Sequence, residues 1–245
     1  MAKRNVDILI VGNGVVGLSA ACILKMLSFN VAIISSFEDG LKKKPIASER
    51  NFTIVESSRR FLDAIGVWKT LQNSNIGKYY KIDISDLTCE GKFGFDTPLG
   101  FDEPMGWVVP ESALIESLNY ALEDVTRFYG LKSVNNKDRR NVEIKLANND
   151  QIFSKLVLFT DSLYPEIRQG LDLDFKAKPY EQLGIVLDIR TEKPHRNVAR
   201  QWFSKEGVLA FLPKFEENLC SVVFSVSEAR GLEVKNYSIA ELSDY

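Results

Sequence analysis

The sequence has little of what hydrolytic and metal chemistry usually needs. Its 245 residues include one histidine, His195, and three cysteines, Cys22, Cys89 and Cys220, far apart in the chain. That spacing excludes a repeated zinc-ligand pattern, and a lone histidine leaves no basis for a metal site or a Ser-His-Asp triad. Sparse, odd cysteines fit a reducing compartment, so a cytoplasmic location is expected, with the cysteines inert. An excess of one charge is also missing: 31 basic residues face 33 acidic ones, for a net charge of −2. That balance argues against nucleic acid as a partner. Long hydrophobic runs are few. The run from Ile8 to Leu27 behind Lys3 and Arg4 imitates a signal peptide, but Asp7, Gly12, Asn13, Gly14 and Gly17 interrupt it. No other stretch approaches the ~20 apolar residues that span a bilayer. What is present, 45% hydrophobic and 26% charged residues, suffices for a globular core.

The interrupted run reads better as strand, turn and helix. Val6 to Val11 is a β-type apolar run around one acid, Gly12-Asn13-Gly14-Val15-Val16-Gly17 follows at once, and Leu18 to Leu27 is an apolar helix. Val31 to Ile34 is a second buried strand, which completes a βαβ unit with its glycines at the junction. In such a unit Gly12 serves the tight turn, Gly14 lets a diphosphate approach the backbone, and Gly17 lets helix and strand pack closely. The helix N-terminus, at Val15 and Val16, offers free N–H donors and a positive dipole end. The second strand would normally end in Asp or Glu to hold the ribose hydroxyls; Ser35 stands there instead. Glu38 and Asp39 lie nearby, in a segment that reads as a solvated loop together with Lys42 to Lys44.

Beyond the fingerprint, Ser57 to Leu71 has helical spacing with Phe61, Leu62, Ile65, Val67 and Trp68 near one face, and Gly66 closes its first helix. Tyr79 to Leu87 and Lys92 to Phe95 read as strands, and Glu111 to about Tyr129 as a helix. Val142 to Leu146 and Gln151 to Ser154 flank Asn148-Asn149-Asp150, a hairpin signature, before a buried strand, Lys155 to Phe159, and the strand-end loop Thr160-Asp161-Ser162. The last third is β-rich: Gln182 to Ile189, Arg200 to Phe203, Gly207 to Leu212 and Ser221 to Ser227, then a partly helical end. Phe93, Phe95, Phe101, Met105 and Trp107 are candidates for an apolar surface, although such residues more often form the packed face of a sheet, and His195, beside Pro194, reads as a surface residue.

Taken in order, these motifs resemble the FAD-dependent aromatic hydroxylases of ubiquinone biosynthesis, a branch of the single-component flavoprotein monooxygenases. The segments that carry the resemblance are Asp7 to Gly17, Glu49 to Ile54 with Ser57-Ser58 and Phe61 to Trp68, Gly106 to Val109, Leu158 to Ser162 with Ile167-Arg168, and Gly207 to Pro213. The resemblance implies an α/β chain: a glutathione-reductase-like FAD/NAD(P)-binding Rossmann-type domain with an inserted, mostly antiparallel β-sheet substrate domain. The expected partition is residues 1–77 and 107–175 for the FAD-binding part, and 78–106 and 176–245 for the β-rich part. It further implies FAD as cofactor, NAD(P)H as reductant, O₂ as oxidant and a phenolic, polyprenylated ring as substrate, with a peripheral visit to the inner membrane or to a biosynthetic complex. Arg50 matches an arginine near the flavin in relatives. Asp161 and Arg168 match a second motif that serves the flavin diphosphate, and Phe211-Leu212-Pro213 matches the ring site. The flavin performs the chemistry, so catalytic side chains are left unassigned.

The chain departs from the family pattern at Ser35, at Ser162 in place of the glycine of an Asp-Gly motif, and at Pro110-Glu111-Ser112. The family's later Gly-Asp-Ala-Ala-His motif, which with its neighbours holds the ribityl chain and ring, does not occur before Tyr245, so the fold is expected to be C-terminally incomplete. Three readings stay open: a hydroxylase completed by another chain that covers the missing region, a shortened inactive relative acting as a binding or assembly protein, and a generic adenine-dinucleotide binder. Any of these readings that includes nucleotide binding uses the same turn. Replacing Gly14→Glu is therefore expected to abolish binding of FAD and of NAD(P) alike, measured by fluorescence titration; unchanged affinity would show that the turn holds no phosphate.

Overall fold

The computed structural model describes residues 2–35, 50–71, 76–98, 102–136, 141–160, 167, 171, 174, 176–238 and 241–242. The chain divides into two compact units: residues 1–44, 60–71 and 113–177 form the first, and residues 45–59, 72–112 and 178–245 the second.

The first unit is built on a mixed sheet. Strands β1 (Lys3–Val11), β2 (Val31–Ser35), β8 (Thr126–Tyr129) and β11 (Gln151–Phe159) are parallel in the order β8-β2-β1-β11. β10 (Val142–Leu146) and β9 (Leu131–Asn135) extend it antiparallel beyond β11. Helix α1 (Val15–Met26) connects β1 to β2 and buries Gly17, Leu18, Ala21 and Cys22. Strands buried on both faces need apolar residues at every position, and Leu9, Ile10, Ala32, Ile33 and Ile34 are fully buried. One face packs Leu9, Val11, Ala32 and Ile34 with Ile144, Leu146 and Ile152. Burial pushes the Cys22 thiol up to about 11, which keeps it protonated and unreactive.

Two sequence expectations change here. The helix expected from Glu111 to Tyr129 ends at Ala121 as α3 (Glu111–Ala121), and the rest becomes the edge strand β8. Turn bonds from Leu122 N to Asn119 O and from Val125 N to Leu122 O stop the helix. The run Val125-Thr126-Arg127-Phe128-Tyr129 is β-branched and aromatic, which favours a pleated surface over a helix. The two segments read separately as Gln151 to Ser154 and Lys155 to Phe159 form the single strand β11. Its start pairs with β10 around the Asn148–Asp150 turn, where Asn149 takes a positive φ of 65°.

The second unit holds a six-stranded sheet in the order β12-β15-β14-β13-β5-β6, from β12 (Gln182–Arg190), β15 (Leu219–Ser227), β14 (Gly207–Pro213), β13 (Val198–Phe203), β5 (Lys81–Asp86) and β6 (Lys92–Asp96). Every neighbouring pair is antiparallel except β13 and β5, which run parallel. A three-stranded sheet, β3 (Asn51–Val55), β7 (Gly106–Pro110) and β4 (Gly77–Tyr79), packs on it through Tyr79, Val108 and Ala199, with Ile82, Met105 and Leu212 beside them. The strand expected from Tyr79 to Leu87 is thus broken at Tyr80, where the chain leaves one sheet for the other; Tyr80 N donates to Asn197 O. Helix α2 (Glu56–Ala64) ends at Gly66, whose φ is +76°, and a 3₁₀ turn (Trp68–Leu71) follows. Phe61 does not join its buried face: it is 42% exposed, whereas Leu62, Ile65 and Val67 are buried. Helix α4 (Glu228–Val234) starts at Ser227, whose hydroxyl caps Arg230 N, and Gly231 lets it approach Leu183 of β12.

His195 is not a surface residue. It is 4% exposed. Its Nε2 lies 3.1 Å from Lys214 O and 3.0 Å from Glu216 O, and its Nδ1 accepts from Asn197 N at 3.0 Å. The ring satisfies backbone groups of two loops, a role that spacing beside Pro194 does not reveal.

In the first unit, Asp7 ties β1 to its neighbours. Its carboxylate accepts from Lys155 Nζ at 2.7 Å and from Asn30 N at 3.0 Å, and these two bonds, the lysine first, hold its pKa below the usual value. A lowered carboxylate pKa stabilises the fold above the unfolded value, about 3.9, and that contribution is lost as pH falls through the folded value. Asp7→Asn is therefore expected to lower Tm at neutral pH, with the gap to wild type closing as pH drops below about 4 in a thermal-melt series. A second test concerns Gly17. A Cβ there would meet Gly12 O at 2.6 Å and Thr160 Oγ1 at 2.5 Å. Gly17→Ala should lower Tm, and adding Thr160→Ala should not restore it, because the Gly12 carbonyl cannot move without opening the turn.

Candidate functional site

The carboxyl ends of the parallel strands of the first unit meet at one place. Gly12 leaves β1 with φ +128°, a conformation that side chains disfavour, and its N–H donates to Ile34 O of β2 at 2.9 Å. Thr160, just past β11, donates from its N–H (2.9 Å) and its hydroxyl (3.1 Å) to Val11 O. The turn is thereby anchored to the strands on both sides of β1. Open α/β sheets bind ligands outside the carboxyl ends of their strands, where successive connections leave in opposite directions. β1 occupies that position, with β2 on one side and β11 on the other.

The turn itself is open. Gly14 is extended and precedes α1, and no side chain caps the helix among the described residues. The first bond of the helix runs from Leu18 N to Gly14 O at 3.0 Å. The N–H groups of Val15, Val16 and Gly17 lie at a helix N-terminus, where four donors lack intrahelical partners. Val16 is 68% exposed, so its side chain points to solvent and does not plug the turn. Amide donors, a positive dipole end and two glycines at the point of approach suit a diphosphate.

The other predicted residues fall in different places. Ser35 ends β2 beside the turn. It is 5% exposed, and its carbonyl accepts from Gly130 N at 3.4 Å. It offers at most a neutral hydroxyl where a carboxylate would make a charge-assisted bond to a ribose. Arg50 belongs to the second unit, immediately before β3. It is exposed, its guanidinium sits 5.1 Å from the Phe52 ring centroid, and its carbonyl accepts from Glu111 N at 2.9 Å. Asp161, Arg168, Ser162, Glu38 and Asp39 lie outside the described residues. No group of three or more His, Cys, Asp or Glu residues able to hold a metal occurs among the described residues. Among them, too, no helix is long and apolar enough to cross a membrane.

In the second unit, a cavity of about 570 Å³ is lined by Leu87, Trp202, Ser204, Glu206, Leu209, Phe211 and Phe224. Trp202 and Phe211 meet edge to face at 5.1 Å. Phe211-Leu212-Pro213 cannot line one site together, because strand side chains alternate: Phe211 lines this cavity while Leu212 packs toward Val108 on the opposite face. On that face Asn51 Nδ2 donates to Ser221 Oγ at 3.0 Å, and Lys214 Nζ pairs with Asp188 at 2.6 Å. The first of these bonds fastens the residue next to Arg50 to the large sheet. The sequence does not show it, since the two residues lie 170 positions apart on strands of different sheets.

No family profile matches the chain. Individual relatives do. The chain is 27% identical to 3-demethoxyubiquinol 3-hydroxylase of Escherichia coli K12 over 251 residues, which covers 99% of this chain and 63% of that one. It is 25% identical to the mitochondrial ubiquinone biosynthesis monooxygenase COQ6 of Caenorhabditis elegans over 252 residues, covering 96% and 55%. The chain therefore spans less than two thirds of these relatives' length. Among solved structures, PqsL of Pseudomonas aeruginosa, a probable FAD-dependent monooxygenase, superposes with a TM-score of 0.75 at 15% identity, covering 94% of this chain and 63% of that one. Over nearly its whole length, the chain is similar in sequence to a hydroxylase and a monooxygenase of ubiquinone biosynthesis, and in fold to a probable FAD-dependent monooxygenase.

Proposed function

We propose that the chain binds FAD at the β1–α1 turn and serves NAD(P)H- and O₂-dependent hydroxylation of a phenolic, polyprenylated ring in ubiquinone biosynthesis. The observation that carries this reading is the open amide cradle at Gly12, Gly14 and Gly17, set at the carboxyl end of the central parallel strand. The reading assigns a Rossmann-type, glutathione-reductase-like role to the first unit and a substrate role to the second. The residues present fit the diphosphate of FAD. Bound there, FAD would supply the redox and oxygen chemistry.

The chain's own contributions are binding and orientation. Backbone N–H groups of Val15, Val16 and Gly17 would donate to the diphosphate. Gly14 leaves room for the phosphate oxygens, and Ser35 lies where the ribose would sit. Asp161 and Arg168, which match a second cofactor motif by sequence, are proposed to serve the same diphosphate. Arg50, which matches a cofactor-contacting arginine by sequence, is proposed as a further FAD contact; its neighbour Asn51 is held by the bond to Ser221. The aromatic wall of Trp202 and Phe211 would exclude water from an apolar ring. A polyprenyl tail on that ring would bring the protein to a membrane surface for its substrate.

Purified protein is expected to take up FAD, turn yellow, and gain ~2.7 kcal/mol of stability at a hundredfold excess of FAD over its dissociation constant. Thermal melts with FAD, NAD(P) and ATP check this. Stabilisation by NAD(P) or ATP with none by FAD would replace the flavin reading with a generic adenine-nucleotide site.

A further inference from the structure

The β6 edge of the large sheet carries a pattern that pairs with itself. Among the described residues, β6 has β5 on one side and no strand on the other. All five of its residues, Lys92-Phe93-Gly94-Phe95-Asp96, are exposed. Phe93 and Phe95 are 59% and 52% exposed and meet edge to face at 5.9 Å on one side of the strand. Such an edge is a template for another strand, which soluble proteins usually blunt with charge or cover.

The hydrogen-bond parity of β6 is fixed at both ends of its ladder. Asp86 N donates to Gly91 O, and Thr97 N donates to Tyr80 O. In the observed register, Lys81 opposes Asp96 and Asp83 opposes Gly94. Bonded and non-bonded pairs alternate in an antiparallel ladder. The main-chain groups of Phe93 and Phe95 therefore face β5, and those of Lys92, Gly94 and Asp96 face outward. If a second β6 lies antiparallel to the first about Gly94, the outward groups meet in register. Lys92 and Asp96 would oppose each other twice, Gly94 would oppose Gly94, and about six N–H···O bonds would form. Each Phe93 would oppose the other copy's Phe95 at a non-bonded pair, where side chains approach most closely.

The charges choose this arrangement. A parallel in-register pair would set lysine against lysine and aspartate against aspartate. The antiparallel pair sets opposite charges together at both ends. Asp96 also has Lys81 of its own chain at 3.9 Å, on the inner side of the strand. A Cβ at Gly94 would meet Ile82 O at 3.0 Å and Asp83 Oδ1 at 3.1 Å, so glycine keeps β6 seated on β5 and leaves the symmetry axis free of side chains on that face.

We propose that β6 joins two copies of this chain in a twofold dimer with one continuous sheet across both. A five-residue strand pair buries little area, so the dimer is of the weak, exchanging kind. Sedimentation equilibrium on the full chain tests it. Wild type is expected to show a monomer–dimer equilibrium, weakened by raising salt. Lys92→Asp turns both ion pairs repulsive and should raise the dimer dissociation constant by ~10-fold or more. Lys92→Asp combined with Asp96→Lys should bring it back to within ~3-fold of wild type. A wild type that stays monomeric at on the order of 100 μM would overturn the proposal, since weak dimers assemble by then. So would a dimer insensitive to salt and to the single reversal, or a folded double variant that fails to recover. If Lys92→Asp does not fold, as judged by circular dichroism, the salt dependence of the wild type decides alone.

Discussion

Helix α1 leaves β1 with no space for a single carbon between them. The Gly12 carbonyl stands where any side chain at position 17 would go, so strand, turn and helix can be close only if both residues are glycine. The same closeness lines up the first helical amides beside the end of β2. A sequence that packed this unit loosely would lose the donors' alignment along with the packing. Core density and the alignment of the free helical amides are therefore one requirement at this turn.

The second unit depends on hydrogen bonds that reach between distant segments. His195 closes two loops from its buried ring, and Asn51 reaches Ser221 between two stacked sheets. Lys214 and Asp188 form a pair with little exposure on the lysine side. Breaking one partner of such a pair leaves a desolvated charge, which costs more than the pair itself contributes. These polar contacts add long-range ties to sheets whose register the apolar pattern already specifies.

Much of this was legible in the residues, for reasons that differ by element. β1, α1 and β2 were readable because fully buried parallel strands are apolar at every position and glycine marks their junction. The β-rich last third was readable by alternation. The extent of α3 was not: Leu122 continues its apolar stripe past Ala121, and the β-branched run from Val125 signals the change only when weighed against that stripe. The break at Tyr80 was hidden because both halves are β-type and only sheet assignment separates them. His195 was misplaced because a proline neighbour suggests a loop, whereas burial followed from backbone groups elsewhere that needed a partner. The glycine turn between β1 and α1 was legible as a motif. The Asn51–Ser221 bond was not, since 170 positions separate its ends.

The lone parallel pair in the large sheet sets the order in which this protein can assemble. β5 and β13 lie side by side although Asp86 and Val198 are the nearest ends of segments more than a hundred positions apart. Between them the chain must complete β11, the strand that flanks β1 in the other unit. A ribosome therefore exposes the β5–β6 hairpin, with its two bare phenylalanines, well before the strand that will cover its inner edge exists. Long-range pairings of this kind form slowly and leave sticky intermediates. Until β13 is synthesised, the inner edge of that hairpin has no strand to pair with.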